Sequence, residues 1–459
     1  MGSPISRRGF LRLSAGAAVG GLLAACAPGA MAPAPAAEKP EAAKKEPITL
    51  NFFNRGGEYI AKVMDMQMKL YQESHPEINF EINAVPGYSH QEVLLMMFAA
   101  GTGPDIWFDA NRTTGMLTRK GLTVNLEPFL EADPRFNEDD YIPNCWIAQT
   151  YDGARWGLPW DSGAMVVAFN MDLFDEAGIP YPDPQKWMTW DEIIELGKQL
   201  TIDLDGRPAT DPKFDPTRVK QYGFIADRGH GRQTYIWSNN AEIIEADLSC
   251  PVDTPEFIEA MNWLADLGLK HYVGPSPAYE QATTMDIRSK NVAIQHIGVW
   301  LLGRINDAGV TRWGTFQVPY SKTKASYGHY SPLCISSKSK YKQESYDFIS
   351  FACLYEGEEI LVDMGMMQPI RKDLRDRFIN NPAPPEPKYR QVFYDAFEGP
   401  TFRWPGDKVG SYYNGWYQPM IDLWAPYLDS LWAGEIRWED VAKEVREKTE
   451  HLMRTGEVT

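Results

Sequence analysis

The hydrophobic period of the chain switches between two and 3.6 along residues 48–108, and this alternation constrains the fold more than any other feature. Ile48, Leu50 and Phe52 alternate with polar residues, the pattern of a half-buried strand. Ile60, Val63, Met64, Gln67, Met68 and Tyr71 then recur at helical spacing, and Phe80, Ile82 and Ala84 return to strand spacing. After Pro86-Gly87 a second helix carries Val93, Leu94, Met97 and Phe98 and ends at Gly101; Asp105-Ile106-Trp107-Phe108 reads as a short buried strand. Strand–helix–strand order demands crossovers, so the expected class is α/β, a parallel sheet with helices on its faces.

Further along, Thr189-Trp190-Asp191-Glu192 is a capping box that opens a helix to about Leu200. Thr254-Pro255 supplies an N-cap and a first-turn proline for a helix with Phe257, Ala260, Met261 and Leu264 on one face and Gly268 at its end. Strands are expected at Val166–Phe169 and Val292–Ile297, and Val441, Val445 and Leu452 mark a C-terminal amphipathic helix. The polar, turn-rich stretch 203–216 reads as a surface insertion. No internal repeat and no sharp linker interrupts residues 48–459, which fits two lobes built from one interwoven chain.

The N-terminus carries separate instructions. Ser6-Arg7-Arg8-Gly9-Phe10-Leu11-Arg12 is the pattern read by the twin-arginine translocase, which moves folded cargo. The apolar run from Leu13 to Ala25 falls short of the ~20 residues needed to span a bilayer as a helix, so 1–25 reads as a signal peptide. Leu23-Ala24-Ala25-Cys26 looks like a lipobox, in which Cys26 is acylated and becomes the new N-terminus. Residues 26–47, rich in Ala, Pro, Lys and Glu, lack the apolar content to pack and read as a disordered tether. The expected location is the outer face of the cytoplasmic membrane, at the cell surface or in the periplasm, held by the lipid.

A formal charge of −17 argues against nucleic acid and anionic membrane surfaces as partners. Fifteen tryptophans and 22 tyrosines raise the prospect of a stacking ligand site. Cys145, Cys250, Cys334 and Cys353 allow three disulfide pairings, among which spacing does not choose. No GxSxG, HExxH, GxxxxGK[ST] or GxGxxG motif occurs, and no Cys/His cluster suggests zinc, so neither a cofactor nor a metal nor a catalytic group is assigned. His230, His296 and His329 are isolated and read as hydrogen-bonded structural residues. Tyr412-Tyr413 reads as a core or strand-edge pair ahead of a ferric-ion site.

Several local signatures together resemble one family. They are Ala99-Ala100-Gly101-Thr102-Gly103-Pro104-Asp105-Ile106, Gly157-Leu158-Pro159-Trp160 with the strand to Asn170, and Thr189-Trp190-Asp191-Glu192. Tyr235–Ile244, Val292–Trp300, Ile335–Lys340 and Gln368–Asp373 follow in order. From about Ile48 onward the chain resembles the extracellular solute-binding proteins, family 1, of ABC importers, which include the maltose-binding protein. The resemblance implies a two-lobed, type II periplasmic-binding-protein-like fold with interwoven lobes, a hinge, and ligand in the interlobe cleft. It puts 48–161 and 330–370 in lobe 1 and 162–329 and 371–459 in lobe 2. It further implies a monomer that closes on a sugar or oligosaccharide and is recognised in that state by a membrane permease.

Ligand groups in α/β sheets gather beyond the carboxyl ends of strands, and sugar sites combine amides and carboxylates with aromatic faces. That rule selects Arg55 and Glu58 after the first strand, and Asp109, Asn111 and Arg112 after Phe108. Trp160 and Asp161 stand where the chain leaves the first lobe, and Trp237, Asn239 and Asn240 lie in a polar-aromatic turn. The resemblance makes Trp300 a sugar-stacking ring, with Arg371 and Trp404 as further candidates. Trp160 reads either as ligand contact or as hinge packing, and Arg55 either as ligand contact or as the partner of a nearby acid. The aromatic tail 397–417 reads as an added stacking wall or as a cover for the second lobe. A receptor of the same fold for a polyamine, an iron complex or a glycerophosphodiester is an alternative, as is a secreted carbohydrate-active hydrolase.

Overall fold

Strand β1 (Ile48–Asn54) organises the first lobe of the computed structural model, lying parallel between β2 (Ile78–Ala84) and β3 (Ile106–Phe108). The structure describes residues 46–455 apart from 56, 86–89, 109–110, 148, 152, 277–285, 366, 405–407 and 409–410, together with the side chains of 58, 59, 111–113, 161, 329, 411–416 and 418. The signal segment, Cys26 and most of the tether lie outside the described residues. Helix Glu58–Ser74 lays the expected stripe, Ile60 to Tyr71, against Leu50, Phe52, Ile106 and Phe108. The opposite sheet face, with Phe53 and Trp107, is covered by Leu94 from helix His90–Ala99 and Leu117 from helix Asn111–Arg119. β1 is therefore enclosed on both faces, and the half-buried reading fails because helices cover each side. β2 is the edge strand, and Ile82 is 43% exposed there despite its alternation with polar residues.

Two long strands join the lobes. β6 (Leu158–Asn170) pairs antiparallel with β11 (Ser326–Ile335) through residues 158–164, and with β9 (Val292–Gly298) through 165–169. The sheet order is β2-β1-β3-β11-β6-β9-β8-β7, where β7 is Ile202–Asp203 and β8 is Val219–Ile225. β10 (Trp313–Phe316) flanks β6, β12 (Phe402–Arg403) flanks β11, and β4 (Thr150–Tyr151) and β5 (Ala154–Arg155) form a separate hairpin. One mixed sheet thus runs through two α/β lobes, with β6 and β11 as the crossing strands. Gly163 in β6 is needed for this crossing: a Cβ there would stand 2.5 Å from Val299 Cγ1 and 2.6 Å from Gln368 Oε1. That same Oε1 accepts the N–H of Ala164 at 2.8 Å.

The second core sits on Val167, Phe169, Phe224 and Ile294 of the strands. It is closed by helices Trp190–Leu200, Pro255–Leu269, Ser411–Ala433 and Ala442–Thr455. The capping box forms as expected, Thr189 Oγ1 accepting from Glu192 N and Glu192 Oε2 from Thr189 N, an arrangement that contributes about 1 kcal/mol. Thr254 caps the next helix, which runs through Gly268 to Leu269. Helix Pro387–Glu398 serves both cores, with Tyr389 in the second and Val392, Phe393, Tyr394 and Phe397 in the first. Asp105 is a structural carboxylate, accepting from Asn51 N at 2.9 Å and Ser339 Oγ at 2.5 Å. Cys145, Cys250, Cys334 and Cys353 are all buried free thiols, so none of the three disulfide pairings forms.

Candidate functional site

Each lobe brings strand ends to the crossing strands. In the first, Arg55 follows β1, its Nη2 donating to Ser331 Oγ of β11 at 2.6 Å and its guanidinium lying 5.1 Å over the Phe108 ring at the end of β3. In the second, β8 and β9 open onto a cavity of about 360 Å³ lined by Met165 of β6, Asp227, Gln295, His296, Gly298 and Trp300. Two further approaches bring separate parts of the chain together. Arg304 Nη2, just beyond Trp300, lies 3.8 Å from where a Cβ of Gly57 would stand. Helix Ser411–Ala433 also contacts helix Asn111–Arg119, which follows β3.

Trp300 is half-buried, its indole folded over Gly298 and packed on a group formed by Met165, Trp237, Ala325 and Tyr327. An aromatic face on a cavity wall is the surface that the C–H side of a sugar ring stacks on. In the lining of the same cavity, Asp227 accepts N–H groups of Gly229 at 2.7 Å and Gly231 at 3.3 Å. Loss of solvent raises the Asp227 carboxyl above its ordinary value, and those two hydrogen bonds oppose the rise. Burial pushes His296 down to about 3, so the imidazole is neutral, with Nδ1 3.1 Å from the Tyr235 hydroxyl. Among the described residues no group of three or more His, Cys, Asp or Glu side chains is placed to hold a metal ion.

Apart from Arg371, the expected ligand residues fall into three sets. Arg55 and Trp300 lie at strand ends beside the crossing strands. Trp160, Trp237, Asn239 and Trp404 are enclosed in the lobes. Trp160 packs inside the first core: Nε1 donates to Gln67 Oε1 at 2.8 Å and the ring meets Phe108 edge-on at 4.8 Å. Trp237 donates to Glu242 Oε1, and Asn239 donates to the Glu256 carbonyl and Glu259 Oε2. Trp404 belongs to the first core, and Arg371 pairs with Asp373 beside the Tyr141 bridge. Asp109, and the side chains of Glu58, Asn111 and Asp161, lie outside the described residues.

Sequence reasoning missed Asp227 and Gln295, and read His296 as a hydrogen-bonded structural residue, which its contact with Tyr235 matches. The signal was present: Val219–Ile225 is a strand, and the rule that points beyond strand ends leads straight to Asp227-Arg228-Gly229. Lys220, Gln221 and Gly223 hid that strand by interrupting its apolar pattern.

This two-lobed α/β fold recurs in solved proteins. The chain superposes on an ABC substrate-binding protein of Listeria monocytogenes in complex with cycloalternan with a TM-score of 0.75 and 21% identity, over 89% of this chain and 100% of that one. It is 27% identical over 249 residues to the arabinooligosaccharide-binding protein of Halalkalibacterium halodurans, covering 53% of this chain and 49% of that protein. It is also 25% identical over 219 residues to the sn-glycerol-3-phosphate-binding periplasmic protein of Rhizobium meliloti, covering 46% and 48% respectively. Residues 56–358 match the profile of the bacterial extracellular solute-binding proteins, and the chain belongs to that family.

Proposed function

We propose that the protein captures a carbohydrate, a sugar or an oligosaccharide, between its lobes and delivers it to the permease of an ABC importer. The observation that carries this reading is the half-buried face of Trp300 on the wall of a cavity that the Asp227 carboxylate also lines, a stacking surface and a hydrogen-bond acceptor in one cavity. The arabinooligosaccharide-binding relative and the cycloalternan complex of the same fold support the class of solute. Closure follows from ligand contacts available only when both lobes engage it. In this reading Arg55, Glu58, Asp109, Asn111 and Asp161 approach from lobe 1 and its crossover, and Trp300 with Asp227 from lobe 2. Lobe 1 comprises 48–161 and 330–370, lobe 2 comprises 162–329 and 371–459, and the receptor works as a monomer without a catalytic step.

The same proposal includes export through the twin-arginine route and anchoring by a lipid on Cys26. Among the described residues no helix is long and apolar enough to cross a membrane. A tether keeps the receptor within reach of its permease, and stable attachment needs two or more acyl chains at about 0.8 kcal/mol per buried methylene. The relative that binds sn-glycerol-3-phosphate favours a second reading, a phosphorylated polyol as the solute. Fluorescence titration of the wild type and Trp300→Ala with maltotriose, arabinotriose and sn-glycerol-3-phosphate tests the proposal. Saturable binding of a trisaccharide, weakened in the variant, supports it; saturation by sn-glycerol-3-phosphate alone favours the second reading.

A further inference from the structure

Trp237 belongs to the group that backs Trp300, and its indole is fixed from several directions. Its Nε1 donates to Glu242 Oε1 at 3.0 Å, the Arg403 guanidinium lies 4.6 Å from the ring centre, and Tyr327 stacks on it at 6.2 Å with an interplanar angle of 17°. Arg403 and Tyr327 are register partners across β12 and β11, so one ladder supplies both contacts to the ring. Arg403 Nη2 also donates to Glu242 Oε2 at 2.7 Å. A single carboxylate, 9% exposed, thus holds both the edge of the indole and the cation on its face. Lys408 Nζ stands 3.4 Å from the same oxygen, and the N–H of Ile243 binds Oε1 at 3.0 Å.

A cation over an indole is most effective where it is shielded from water, and a planar guanidinium stacks where an ammonium does not. Removing Glu242 takes away the one carboxylate shared by Arg403, Lys408 and the indole N–H, so the unit responds as a whole. Trp300 packs against Trp237, Met165, Ala325 and Tyr327 as a group, of which Met165 also lines the cavity while Trp237, Ala325 and Tyr327 stand behind it. A binding ring works best when its own rotamer is locked by supporting contacts.

We infer that Glu242 and Arg403 are positioning residues for ligand capture: they immobilise Trp237, and the Trp237 group holds the Trp300 ring in place. The inference rests on the reading of Trp300 as the sugar-stacking residue, and it assigns Trp237 a supporting role in place of direct contact. It also gives the segment 402–403, which follows helix Pro387–Glu398, a link into the binding wall.

The test uses the full chain labelled with 5-fluorotryptophan, the Trp300 ¹⁹F line being assigned by its loss in Trp300→Phe. A purely structural contact would change melting temperature and leave that line alone. The expected result is a single narrow Trp300 line in the wild type that broadens or splits in Arg403→Met and in Glu242→Gln. Arg403→Lys, which keeps the charge and loses the planar stack, gives an intermediate line. Glu242→Gln conserves side-chain volume and carries the test if Arg403→Met does not fold. A Trp300 line of wild-type position and width in folded Glu242→Gln overturns the inference. Addition of maltotriose or arabinotriose then separates the two ideas: variant broadening with a wild-type line that neither sugar moves leaves the positioning role standing and contradicts the carbohydrate reading.

Discussion

The indole of Trp300 lies over the Cα of Gly298 so closely that a Cβ there would stand 2.0 Å from Trp300 Cη2. Any side chain at 298 therefore swings the ring off its seat. Gly298→Ala is expected to weaken oligosaccharide binding by about 1 kcal/mol, the worth of an aromatic contact, or roughly fivefold in Kd. Calorimetric titration of the variant against the wild type checks this, and equal affinities would remove Trp300 from the account.

Gln67 is a buried junction between the first helix and the crossing strands. Its Oε1 accepts Trp160 Nε1 at 2.8 Å, and its Nε2 donates to the carbonyls of Ala352 and Gly357 at 3.0 and 2.9 Å. Gln67→Leu keeps roughly the volume and removes the partners of the Trp160 indole N–H and of the Ala352 carbonyl in the last turn of its helix, each costing about 1–3 kcal/mol. An unfolding free energy from urea titration lowered by several kcal/mol, with unchanged ligand affinity in the folded fraction, is the expected outcome.

Glu358 titrates inside the first lobe. Burial raises its carboxyl to about 8 from an ordinary 4.5, although the N–H groups of Ile370 and Arg371 bind Oε1 and oppose the shift. The folded protein thus keeps a proton that the unfolded chain releases between those values. This contribution to stability is fully present below about 4.5 and is lost as pH rises to about 8, at roughly 1.4 kcal/mol per pH unit. Glu358→Gln retains the acceptor and cannot titrate, so the stability of the wild type relative to the variant should fall across that window. Parallel denaturation curves from pH 5 to 8 would contradict the assignment.

Cys26→Ser is expected to release the protein into the soluble fraction with its ligand affinity unchanged. Cell fractionation followed by titration of both forms checks it. A variant that stays with the membrane would show that attachment does not depend on this thiol.

Much of the fold was legible because local chemistry and burial agree. The stripe from Ile60 to Tyr71 is buried throughout, and the cap at Thr189 forms with the partner its spacing predicts. The site was less legible, because strand ends and core positions carry the same residue types. Trp160 looks like a ligand residue until its partner Gln67, 93 positions earlier, is placed beside it. Trp237 and Asn239 lie where a cleft loop was expected, yet they are held inside by Glu242 and by the helix that begins at Pro255. In the same way the free thiols reflect separate burial that spacing does not report.

The central claim, that the cleft selects a carbohydrate, is tested most directly by a thermal-shift screen of arabino- and malto-oligosaccharides, sn-glycerol-3-phosphate and polyamines on the purified chain. Melting temperature rises with RT ln(1 + [L]/Kd), about 2.7 kcal/mol at a hundredfold excess over Kd. The account predicts a concentration-dependent rise with at least one oligosaccharide that is lost in Trp300→Ala. A rise with sn-glycerol-3-phosphate or a polyamine and none with any sugar would contradict it.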